Sequence, residues 1–132
     1  MANEAIPVEG PYEVHDFTVA VATGIPQFTL CQITDPRTAS ATSGDSEQFA
    51  GIAFTEKVAN NGVLNLGLAT TGTWVLKDNG GAGIAEGALV SVGGANTIKA
   101  ATEAEVIAGD VIGKALEAIA SGTSGEVKLT LN

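Results

Sequence analysis

The amino-acid sequence predicts an all-β protein: a small β-barrel or sandwich of short strands with an internal pseudo-repeat, one short helix and an extended N-terminal arm. Three observations lead there. One phrase occurs twice, as residues 51–68, GIAFTEKVANNGVLNLGL, and as residues 113–131, GKALEAIASGTSGEVKLTL: a glycine, an alanine followed by a large apolar residue, a polar stretch, a turn and a closing apolar run. In both copies the closing residues alternate, with Leu64, Leu66 and Leu68 in the first and Val127, Leu129 and Leu131 in the second. That is the period of a strand with one buried face, so each copy reads as a β-hairpin. The third observation is composition: 17 glycines and few aromatics among abundant Ala, Val, Leu and Ile favour short strands joined by tight turns.

Residues 1–13 read as the arm. Pro7, Gly10 and Pro11 oppose regular structure, three glutamates keep the segment solvated, and Ile6 and Val8 are its apolar side chains. Such an arm can order on docking across a neighbouring subunit, and Tyr12 at its end is an aromatic anchor for that contact. Residues 14–132 read as a single β domain.

From Val14, the residues Phe17, Val19 and Val21 alternate with Asp16, Thr18 and Ala20 in a strand that stops at Thr23-Gly24-Ile25-Pro26. A second strand covers about Phe28 to Ile33. Residues 34–48, TDPRTASATSGDSEQ, hold almost nothing apolar and predict a long solvated loop, a second element for partner contact with Arg37 as its cation. Phe49 to Val58 opens the first copy of the phrase. Its turn, Asn60-Asn61-Gly62, and the later turn over residues 121–125 are rich in residues that accept positive φ. Thr73 to Lys77, with Trp74, continues the β pattern to a turn over residues 78–83. Leu89 to Val92 and Thr97 to Ala101 form another pair. Thr102 and Glu105 have capping-box spacing, which predicts a short helix to Ala108 closed by Gly109.

Fifteen acidic residues against six basic ones give a formal charge of −9. Such a surface repels phosphate backbones, so nucleic acid is not an expected partner. No apolar run of membrane-spanning length occurs, and the opening residues lack the basic and apolar regions of a signal peptide. A protein made and kept in the cytoplasm is expected, without membrane contact. The single Cys31 excludes an intramolecular disulfide and suits a reducing compartment.

Little in the sequence converges on chemistry. His15 is the one histidine, and a nucleophilic couple would need Cys31 or a serine brought to it by the fold; a strand-end histidine facing water is the plainer reading. Cys31 reads as a small buried residue. Asp78-Asn79-Gly80 starts like a calcium loop, but Gly81, Ala82 and Gly83 stand where oxygen ligands should follow, so it is a turn. No Gly-Lys-Ser or Gly-Lys-Thr follows these glycines. Neither a catalytic, a cofactor nor a metal site is expected, and the protein is not expected to be an enzyme. Function would lie on surfaces, with Trp74, Tyr12 and Arg37 as anchors alongside Ile6 and Val8. For Trp74 the structural alternative is a core position.

The second copy of the phrase, its lead-in Ile84-Ala85-Glu86-Gly87-Ala88-Leu89-Val90 and the step from Ala108 to Glu117 together resemble small capsid decoration, or cement, proteins of tailed phages, over roughly residues 45–131. Gly109-Asp110 supplies the Gly-Asp pair of that family, whereas Gly87 is followed by Ala88. The resemblance implies a structural virion protein, made in the host cytoplasm, that binds the major capsid protein lattice on its outer surface as a homo-oligomer, with a trimer favoured. A small non-catalytic β-barrel module for carbohydrate or a host-surface ligand would share the same composition and turns.

Overall fold

A computed structural model describes residues 4–45 and 47–130, so residues 1–3 of the expected arm and Leu131 lie outside the description. After β1 (Ile6–Glu9), the chain runs twice through the same five strands. The first pass is β2 (Val14–Thr18), β3 (Leu30–Asp35), β4 (Thr38–Ala41), β5 (Phe49–Ala53) and β6 (Asn65–Ala69). The second is β7 (Thr71–Lys77), β8 (Leu89–Gly94), β9 (Thr97–Ala100), β10 (Val111–Ala115) and β11 (Ser124–Thr130), with the helix α1 (Glu103–Ala108) before β10.

Strands of the first pass close into a barrel in the order β2-β4-β3-β5-β6. Those of the second form a sheet in the order β7-β11-β10-β8-β9, with β1 added outside β7. These are the same arrangement, element for element. Where the first barrel closes by a parallel bridge from Thr18 to Thr38, the second closes by one from Asp78 to Ile98.

The registers coincide as well. Cys31, Gln32 and Ile33 face Ala41, Ser40 and Ala39, while Val90, Ser91 and Val92 face Ala100, Lys99 and Ile98. Ala53 faces Leu68 as Ala115 faces Val127. Both repeated phrases are therefore hairpins, and the duplication extends well beyond them. Ile25 bridges Lys57 just as Ile84 bridges Ile119. Phe28 and Gly87 share positive φ (63° and 78°), as do Arg37 and Asn96 (51° and 55°).

Two expectations are corrected. Residues 34–48 are not one long loop: the turn at Pro36-Arg37 leads straight into β4. That strand escapes apolar patterning because its fully buried side chain is the small Ala39, where its counterpart β9 carries Ile98. Leu64 does not share the buried face of Leu66 and Leu68; it precedes β6 and is exposed. The opening segment is extended and docked: β1 pairs with β7, setting Ile6 opposite Val75 and Pro7 opposite Trp74. Ala5 is buried and its N–H donates to the Phe28 carbonyl at 3.1 Å.

Alternation along β3, β5 and β6 divides the core. Cys31, Ala50, Ala53 and Leu68 fill the first barrel, while Leu30, Phe49, Ile52 and Ala69 join the cluster that contains Trp74, Val90, Ile112 and Val127 of the second. The outer face of the first barrel is thus buried against its successor. The counterparts of Leu30, Ile52 and Ala69 are Leu89, Lys114 and Lys128, all exposed, so the matching face of the second barrel is solvated. Polar contacts add to the seam: Asn96 accepts from the Leu30 N–H at 2.8 Å and donates its own N–H to Thr42 Oγ1 at 2.9 Å. Lys99 also reaches back across it, pairing with Asp45 of the first unit and, at 2.9 Å, with Glu105 of α1.

The helix forms as its sequence predicts. Thr102 accepts from the Glu105 N–H, the Glu105 carboxylate accepts from the Thr102 N–H at 2.7 Å, and Gly109 closes the helix at φ 81°.

Candidate functional site

Four of the five sequence-derived contact residues gather on one side of the molecule. β1 lies along β7, so Ile6 and Val8 stand on the open edge strand, 55% and 44% exposed. Tyr12 follows β1 and half-buries its ring edge-on to Trp74, with centroids 5.3 Å apart, and beside Phe54 at 5.7 Å. Trp74 itself has no exposed surface. Phe28 and Phe54 also pack edge-on against it, and its indole N–H donates to the Thr71 carbonyl at 3.2 Å. As a surface anchor Trp74 is corrected: no part of the ring is left for a partner, and it acts as the hub that holds the N-terminal segment down.

Glycine makes that docking possible. Gly72, at φ 101°, lies directly under the Tyr12 ring, where any Cβ would collide with it. The aromatic cluster therefore depends on both the arm and this glycine.

Arg37 lies elsewhere, at the turn between β3 and β4. Its Nε donates to the Asp16 carbonyl at 3.2 Å, and its guanidinium carbon is 5.7 Å from the centre of the Phe17 ring, a cation–π distance. Arg37 and His15 flank a cavity of about 290 Å³ that opens beside Phe17, Ile33, Phe49, Ala50 and Thr70. His15 is half-exposed, 3.7 Å from the Glu13 carboxylate. Sequence reading singled out Arg37 but missed this hollow, which no local motif marks.

Two further charged groups are buried without a catalytic setting. Lys57, at the position of Ile119 in the second unit, donates to the carbonyls of Thr23 (3.0 Å) and Val21 (3.4 Å) and so ties down that turn. Asp78 accepts from the backbone N–H groups of Gly80 and Gly122, each at 3.0 Å, which joins two turns through one carboxylate oxygen. Cys31 is fully buried, and burial pushes its thiol up to about 12, slightly offset by a backbone hydrogen bond at Ala53; at neutral pH it is a protonated, unreactive core side chain. Among the described residues, no three His, Cys, Asp or Glu side chains group as a metal site.

The chain is similar in structure to the head fiber gp8.5 N base of bacteriophage phi29. The superposition has a TM-score of 0.56 at 11% sequence identity, over 92% of this chain and 97% of that one. At that identity the likeness concerns the fold, and it spans both barrels. No family model matches the sequence, and no curated protein matches it either.

Proposed function

We propose that the protein is a structural component of a tailed-phage virion that decorates the outer surface of the assembled major capsid lattice and stabilises the head. The observation that carries this reading is the likeness, over almost the whole chain, to a phage head fiber base. The cement-protein phrases in the second barrel support it. Function on this reading is binding without turnover.

Several copies, as a trimer or another ring, would engage the lattice multivalently, so modest affinity per copy suffices. The exposed edge residues Ile6 and Val8 and the exposed Arg37 are the contact candidates that the fold leaves accessible. Binding to the expanded shell alone would shift its equilibrium toward the intact particle by linkage. The net negative charge would keep decorated particles dispersed.

Co-sedimentation of the purified protein with expanded capsids of its phage that lack it, followed by a thermal melt of the particles, tests the reading. Saturable binding with a raised capsid melting temperature is expected. Failure to bind at saturating protein would overturn it.

A further inference from the structure

The registers place the cavity beside Arg37 at a definite position in the repeat. His15 faces Leu68 and Trp74 faces Val127; Leu68 and Val127 themselves face the equivalent Ala53 and Ala115. His15 therefore stands where the second barrel has Trp74. By the same alignment, Ala50 replaces Ile112 and Thr70 replaces Leu129, while Phe17 and Ile33 answer to Leu76 and Val92. In the second barrel, all five of these positions are buried core. In the first, three losses of apolar volume (indole to imidazole, Ile to Ala, Leu to Thr) fall together, and the cavity of about 290 Å³ lies among them, bounded also by Phe49, which stands where the second barrel has Val111. Ile33 is left 39% exposed where Val92 is fully buried.

We infer that the open end of the first barrel is a binding site for an aromatic side chain presented by a protein partner next to an acidic group. The fold itself shows the occupant's shape, because Trp74 fills the equivalent space in the second barrel. Phe17 supplies an aromatic wall for edge-on packing, and the backbone of β5 at Ala50 leaves the floor open. Arg37 sets the charge preference: its guanidinium sits at the rim, its Nε–H donates to the Asp16 carbonyl, and among the described residues it has no carboxylate partner. A hollow of this size with an aromatic wall and one guanidinium on its edge is the form of a receptor for an inserted anchor.

The inference rests on the two barrels and not on the capsid reading, so its test uses the free 132-residue chain. The probe is N-acetyl-tryptophan, an indole with a carboxylate, compared with its neutral amide in NMR titrations of the labelled protein. Amide shifts confined to Ile33, Ala50, Thr70 and their strand neighbours are expected, with the acid binding about two- to fivefold more tightly than the amide. That preference should vanish in Arg37→Gln. His15→Trp and Thr70→Leu, which copy the second barrel, should each fill the space and abolish binding. Absence of shifts at millimolar probe, shifts centred elsewhere, or undiminished binding by either folded filling variant would overturn the site.

Discussion

Trp74 and His15 are the same residue of a duplicated barrel, one wholly buried beneath three aromatic rings and the other half-exposed at the rim of a hollow. The two barrels thus share a backbone plan and differ in how completely they are filled. The second is packed around a large aromatic, and the first is lined by Ala39, Ala50 and Thr70 where its twin has Ile98, Ile112 and Leu129.

Truncating these two equivalent residues should therefore have unequal effects. Trp74→Ala removes a fully buried indole and strands the rings of Tyr12, Phe28 and Phe54, and a loss of about 3–5 kcal/mol is expected. His15→Ala deletes a half-exposed side chain and should change stability by no more than about 0.5 kcal/mol. Urea unfolding of the two variants measures both; equal losses would mean that the hollow end of the first barrel is as tightly packed as the filled end of the second.

The glycine that opens each repeated phrase has a steric role. A Cβ on Gly51 would come within 2.8 Å of the Leu68 Cβ and 2.9 Å of the Ala69 carbonyl oxygen, at φ 151°. One on Gly113 would run into the Lys128 carbonyl of β11. The Ala69 and Lys128 carbonyls are backbone obstacles in a neighbouring strand, so relief requires the hairpin to open. Gly51→Ala and Gly113→Ala should each destabilise by about 1–3 kcal/mol, read by thermal melting. A melting temperature unchanged from wild type in either variant would show that the strands can separate without cost.

How much of this was legible follows from where large apolar side chains sit. α1 could be read to the residue because Thr102, Glu105 and Gly109 each bond locally to the helix backbone. The hairpins of the repeated phrase were visible because Leu66, Leu68, Val127 and Leu129 carry the alternation. β4 was not, since Ala39 among threonines and serines gives no apolar period. The burial of Trp74 was open as an alternative, but the docking of β1 was hidden: Pro7 opposes a strand interior, and the segment is tolerated because it forms an edge. The hollow of the first barrel was least legible of all. It is defined by side chains that are smaller than their counterparts, and these emerge only when Gly24-Ile25 is aligned with Gly83-Ile84 through the shared registers.

The Tyr12 and Trp74 rings should be energetically coupled. Tyr12→Ala removes a half-buried ring from the aromatic cluster and should cost about 1–2 kcal/mol. In a double-mutant cycle with Trp74→Leu, about 0.5–1.5 kcal/mol of that loss should disappear, reflecting the edge-on contact at 5.3 Å. Strict additivity would indicate that Tyr12 is held by the β1 backbone pairing rather than by the ring.

Cys31 should make the stability fall in alkali. Its folded-state thiol is pushed up to about 12 from an ordinary 9.0, because charging it would place a thiolate inside the first barrel. The folded state therefore keeps a proton that the unfolded chain releases. By linkage, the resulting stability is fully present below about pH 9 and is lost progressively as pH rises toward 12. Cys31→Val copies Val90, its counterpart in the second barrel, and at neutral pH should differ from wild type by less than about 1.5 kcal/mol. Other titrating groups are common to both proteins, so the difference between their stabilities isolates the thiol. That difference should be flat below pH 9 and then move in favour of the valine variant as the pH climbs. A difference that stays constant through the alkaline range would mean the thiol ionises in the folded barrel as readily as in the unfolded chain, and the first barrel would then be open to water well beyond its rim.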